Sequence, residues 1–143
     1  MIKVYFHQSA DDALFKYAVI IAKSKGQWVF CRHRDRTTYE NPGGHREPNE
    51  AIDETAKREL WEETGAEKYT IERICPYSVD DGKETTYGML YFANIEKFGP
   101  LPETEIAEVK LFTEKPENWT YPKIQPHLVD KAEEWLKGKE LQI

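Results

Sequence analysis

The chain has 143 residues, 39% of them hydrophobic and 13% aromatic, which suits one domain with its own core and excludes a disordered segment. A net charge of −6 argues against a surface made for nucleic acid backbone or anionic membrane. No run approaches the roughly 20 apolar residues that cross a bilayer, and Cys31 and Cys75 are too few and too scattered for a disulfide scaffold or a zinc site.

In chain order, IKVYFH (2–7) alternates and predicts a strand. KYAVIIAKS (16–24) predicts a second strand, and its continuous apolar middle implies burial on both faces. Lys25–Gly26 turn the chain, and QWVFCRH (27–33) returns as a third strand. RDRTTYENPGG (34–44) reads as a loop closed by a Pro-Gly-Gly turn. A helix follows, with Pro48 before it, Asn49 as its N-cap and Gly65 at its C′ position. YTIERICPYSV (69–79), the turn DDG and TTYGMLYFANI (85–95) predict a long hairpin. AEVKLFT (107–113) is one more short strand, and an amphipathic helix beginning near Lys123 or Pro126 closes the chain. This order predicts an α/β fold in one domain over 1–143, with a mixed β-sheet sandwiched between α-helices. The start, MIKVYFHQSA, lacks the basic-then-apolar layout of a signal peptide, so a cytoplasmic setting is expected.

The central helix gathers acids in an unusual place. With Ile52 at the origin of the helical wheel, Ala56 falls at about 40° and Leu60 at about 80°, and the three define the apolar side. Glu59 falls at about 340°, Glu63 at about 20° and Glu62 at about 280°. Solvated acids belong on the opposite side, where Lys57 and Trp61 lie. Acids at i, i+3 and i, i+4 spacing repel one another, and those near a helix C-terminus oppose the macrodipole. Arg58 can pair with Glu62 or Glu54 at i±4, yet it cannot neutralise three carboxylates. A partly buried acid must be paired or hold a metal. Hard cations such as Mg²⁺ or Mn²⁺ take carboxylate oxygens, so metal binding is favoured over a solvated acidic face.

The spacing Gly44, five residues, Glu50, seven residues, then RELWEETGA from Arg58 to Ala66 resembles the box of the Nudix hydrolases, G-x5-E-x7-R-E-U-x-E-E-x-G-U with U apolar. Leu60 and Ala66 fill the two U positions. The resemblance implies a divalent-metal-dependent hydrolase of a diphosphate linked to another group, with Mg²⁺ or Mn²⁺ as cofactor. It implies that Glu59, Glu62 and Glu63, with Gly43 through its backbone, bind the metal. Arg58 is expected to orient the neighbouring glutamates. Glu50 is expected to brace the loop-helix unit or assist a further metal, or simply to be an acid favoured by the helix dipole. Gly44, like Gly43, lets the backbone approach metal and phosphate closely. Glu62 is one candidate general base. The segment ETEIAEVK places Glu103, Glu105 and Glu108 in a loop before a strand, and Glu105 is the second candidate.

Arg32 and Arg34 share one strand parity and are candidate phosphate contacts, since guanidinium suits that role. Tyr39 can stack on a base. The lead-in YENPGG is similar to the YEFPGG type of the MutT-like nucleoside triphosphate pyrophosphatases, with Asn41 as a departure. Gln125 stands where MutT enzymes carry a base-reading asparagine, so Asn41 and Gln125 are the base-edge candidates. Both are also compatible with facing solvent. The expected substrate is a nucleoside triphosphate or related nucleotide, cleaved to monophosphate and pyrophosphate with modest base selectivity. No nucleic acid polymer or membrane partner is expected, and the chain is read as a monomer or homodimer. His45 and His127 read as surface or packing residues. A non-catalytic Nudix-fold sensor of nucleotides or ADP-ribose is the competing reading. Such modules typically lose box glutamates, and none is missing here. An EF-hand is excluded because no D-x-[DN]-x-[DN]-G loop is present.

Overall fold

The computed structural model describes residues 1–140. β2 (Phe15–Ser24) is the central strand, and its side chains alternate between two covered faces. Ala18, Ile20 and Ala22 join the cluster beneath helix α1 (Ile52–Thr64), with Ile52, Ala56 and Leu60. Val19 and Ile21 point the other way, toward helix α2 (Gln125–Glu140), which contributes Leu128, Val129 and Ala132. This double burial is why the middle of β2 is apolar without interruption.

β3 (Gln27–His33) returns antiparallel to β2 after the Lys25–Gly26 turn, where both residues have positive φ. β1 (Lys3–Phe6), β5 (Ala66–Asp80), β6 (Thr85–Phe98) and β7 (Ile106–Phe112) complete a sheet of order β1-β5-β6-β2-β3-β7. The β2–β6 pair is parallel and the other pairs are antiparallel. The expected mixed sheet between helical layers is therefore present. No helix of the described residues is long and apolar enough to cross a membrane.

Three local expectations are corrected. The Pro-Gly-Gly segment is not only a turn, because β4 (Gly43–His45) pairs with β2. A Cβ at Gly43 would lie 2.5 Å from the Ala18 carbonyl oxygen, so this close pairing requires glycine. Asn49 is not the N-cap. It adopts φ 65°, and the helix starts after Ala51, which provides no side-chain cap. The Glu50 carboxylate instead accepts from the Thr55 hydroxyl and the Glu47 N–H. β5 begins at Ala66 and not at Tyr69, directly after the left-handed Gly65 whose N–H bonds Trp61 O.

Candidate active site

Helix α1 and strand β4 form one wall of the site. The wheel position of Glu63 places it at the helix–sheet seam, where it is 9% exposed. Its Oε1 accepts from the Gly43 N–H at 2.8 Å. Glu59 lies against the next glycine, and a Cβ at Gly44 would come within 2.5 Å of its carboxylate. Glu62 is on the flank and more open. Glu63 and Glu59 thus face the Gly43–Gly44 pair, while Glu62 is linked to Glu59 through Arg58 Nη1.

Arg58 ties this group to the loop before the helix. Its Nε and Nη2 donate to the two oxygens of Glu50 at 2.7 and 3.0 Å. Its Nη1 donates to Glu59 Oε1 at 2.8 Å and Glu62 Oε2 at 3.3 Å, and Nη2 also reaches the His45 carbonyl. A planar fork of donors suits this many-sided role. Glu50 thus braces the loop-helix unit, and the Arg58 guanidinium holds its carboxyl down at about 2. Glu54 faces solvent.

The remaining acids are not neutralised so completely. Burial pushes Glu63 up to about 8, aided by the charges of Glu59, Glu40 and Glu62 and opposed by the Gly43 N–H. Burial also raises Glu59, against the pull of Arg58. Two desolvated carboxylates facing a glycine pair, with a third joined to them through Arg58, are the donor type that suits a hard divalent cation. Among the described residues, the group whose ligand-type atoms lie within 4.8 Å of one another is Cys31, Glu40 and Glu63. Burial, and then Glu63, pushes the Cys31 thiol well above its ordinary value. The thiol donates to the Glu40 carbonyl at 3.5 Å.

The substrate candidates lie differently. β3 ends at His33, so Arg34 lies past the strand and is exposed, and strand alternation no longer sets its face. Arg32 pairs with Glu108, which lies within β7 and not in a loop. Tyr39 donates to the same Glu108 at 2.6 Å and packs edge-on against Phe112, so its ring is partly occupied on the α2 side. Asn41 and Gln125 do not face solvent. They are 3% and 6% exposed, and Gln125 Oε1 accepts both the backbone N–H and the side-chain amide of Asn41. Glu105 is on an exposed loop beside β7, with its carbonyl bound by the Arg34 N–H. His45 stacks on Tyr17 and His127 is exposed.

Two residues of the site, His33 and Glu40, escaped the sequence reading. His33 Nε2 lies 2.7 Å from Glu40 Oε1 and 3.8 Å from Glu63 Oε2, and its Nδ1 lies 3.5 Å from Glu105 Oε2. The available signal for His33 was parity. Val29 packs under α1, so Cys31 and His33, two and four residues on, point to the same helix.

The sequence profile of the NUDIX domain matches residues 15–132. The Bacillus subtilis (strain 168) protein YtkD, a proposed 8-oxo-dGTP diphosphatase, is 38% identical over 117 residues, covering 77% of this chain and 72% of that protein. The crystal structure of a Bacillus subtilis pyrophosphohydrolase superposes with a TM-score of 0.77 at 29% identity, over 93% of this chain and 90% of that one. A NUDIX hydrolase from Nitrosomonas europaea shares the fold, with a TM-score of 0.68 at 18% identity over 82% and 87% of the two chains.

Proposed function

The chain belongs to the NUDIX family and is a hydrolase, and we propose that it cleaves a nucleoside triphosphate to the monophosphate and pyrophosphate with Mg²⁺ or Mn²⁺ as cofactor. The observation that carries this reading is the setting of Glu63 on the Gly43 N–H and of Glu59 against Gly44, with Arg58 joining Glu59 to Glu62 and to Glu50. In this reading those three carboxylates hold the metal, which supplies positive charge against the diphosphate oxygens and Lewis acidity at phosphorus.

The chain's own residues do the rest. Arg58 keeps Glu59 and Glu62 apart and aimed while sharing their charge. Glu62, the most open of the three, or Glu105 across the cleft, accepts the proton of the attacking water. The segment from Tyr39 to Gly44 passes from the α2 side of the sheet, where Tyr39 packs, to the α1 side, where Gly43 meets Glu63. A nucleotide laid along it would place phosphates at the glycines and its nucleoside toward Asn41 and Gln125, with Arg32 and Arg34 at its edge. The proposed activity of the YtkD relative supports a nucleoside triphosphate as the substrate class.

Base selectivity is modest in this reading. Strong discrimination needs buried polar groups aimed at base edges. Gln125 Oε1 is already engaged by Asn41, which leaves few such groups. The test is kcat/KM with Mg²⁺ for the common nucleoside triphosphates, 8-oxo-dGTP and ADP-ribose, scored by product mass. A lead of more than about a hundredfold for 8-oxo-dGTP, worth roughly 2–3 kcal/mol, overturns weak selectivity. A lead for ADP-ribose overturns the triphosphate assignment and leaves the acidic site standing.

A further inference from the structure

We propose that His33 is a positioning residue that aims the Glu105 carboxylate into the site, an inference that rests on reading Glu105 as a proton acceptor.

Glu105 has a well-held backbone and a loosely held side chain. Its carbonyl accepts from the Arg34 N–H at 2.9 Å. The flanking Thr104 hydroxyl donates to the Glu62 carbonyl and accepts from the Ile106 N–H, so the loop is pinned to the end of α1. The Glu105 side chain itself is 87% exposed, and among the described residues the one ionisable partner within ion-pair distance is His33. A carboxylate this open samples several rotamers, and only some of them face the acids of α1.

His33, in contrast, is fixed. Its Nε2 meets Glu40 Oε1 at 2.7 Å, and the other Glu40 oxygen accepts from Arg36. Glu40 is 6% exposed, and its backbone is bonded to Cys31 in both directions at 2.9 Å. The imidazole therefore sits between a buried carboxylate on a rigid bridge and Glu63 Oε2, with its Nδ1 3.5 Å from Glu105 Oε2. Glu40, His33 and Glu105 form a chain in which the rigid member orients the mobile one through the ring, as outer partners orient ligating or catalytic groups elsewhere. His33 transfers nothing in this arrangement. The proton of the attacking water passes to the Glu105 carboxylate alone. The cleft beside this pair, about 440 Å³ and lined by His33, Arg34, Asp35, Arg36, Thr104 and Glu105, is open enough for a small molecule to replace the ring.

The competing explanation is that His33 only holds Glu40 and Glu63 together. A double-mutant cycle on the nucleotide hydrolysed fastest in the screen above separates the two. Glu105→Gln should lower kcat about a hundredfold and His33→Ala about tenfold, while the double variant should be no slower than Glu105→Gln alone. KM and the Mg²⁺ concentration for half-activation should stay within about twofold, and dissolved imidazole should restore part of the kcat of His33→Ala but none of the double variant's. If His33→Ala slows the Glu105→Gln protein by the same factor, or raises the Mg²⁺ requirement, His33 acts elsewhere and the proposal falls while Glu105 keeps its role. If Glu105→Gln turns over like the unchanged protein, the acceptor reading fails and the proposal fails with it. Should His33→Ala melt below the assay temperature, His33→Gln, which keeps a donor toward Glu40, serves in the same cycle with the same criteria.

Discussion

Helices α1 and α2 cover opposite faces of one sheet with different chemistry. α2 lays Leu128, Val129 and Ala132 against Ile21, Phe30, Tyr77 and Leu90, and Phe30 adds edge-on contacts to Phe112 and Trp119. α1 lays Ile52, Ala56 and Leu60 against Ala18, Ile20 and Ala93, but sets Glu59 and Glu63 beside that stripe. On the α2 face, non-directional apolar burial contributes stability. On the α1 face, desolvated carboxylates cost stability unless charge is supplied, and they find directed partners in Arg58 and the Gly43 N–H. The difference shows where this fold keeps its stability and where it keeps its reactive groups.

The sharpest break in that contrast is Glu63→Gln. The amide keeps an oxygen for the Gly43 N–H and loses the charge, so kcat should fall on the order of a thousandfold or more while the fold survives. Single-turnover rates at saturating Mg²⁺ would show it, and an unchanged kcat removes Glu63 from the metal site. The mirror experiment is Leu128→Ala on the other face. It should cost about 2–5 kcal/mol in urea unfolding, with kcat per folded molecule unchanged.

The pH dependence of metal-free stability is the next lever. Glu63 has a folded value of about 8 against an ordinary 4.5, so the folded protein holds this proton more tightly than the unfolded chain does. The stabilisation is complete below 4.5 and is lost as pH rises through about 8. The Tm in chelator should therefore fall across that window. Glu63→Gln should flatten the fall, and Mg²⁺ should raise Tm more at the alkaline end than at the acid end. An equal Mg²⁺ shift at both ends would place the cation away from Glu63. The smallest effect expected is from Gly44→Ala. Its Cβ would meet the Glu59 carboxylate at 2.5 Å, which Arg58 also holds. Activity should drop about tenfold at low Mg²⁺, worth roughly 1.4 kcal/mol, and largely recover at high Mg²⁺.

What the sequence determined by itself is the part governed by short-range periodicity. The helical repeat alone placed Glu59 and Glu63 beside Ile52, Ala56 and Leu60, and the uninterrupted apolar middle of β2 placed both its faces in the core. The box spacing from Gly44 to Ala66 is a local pattern of the same kind, legible because one loop and one helix carry all of it. Tertiary structure decided the rest. Asn41 and Gln125 lie 84 residues apart, and their pairing depends on where α2 lands after β7. Glu105 and His33 meet only because β7 pairs with β3 in one register, with a shift at Arg32/His33, and Arg34 leaves the face expected for it because β3 ends at His33. The N-cap moved from Asn49 to Ala51, where the helix begins beyond the segment that carries Glu50 to Arg58. A helix or strand period constrains which residues share a face, but contacts between faces are set by how separate elements pack, and no spacing within one segment encodes that.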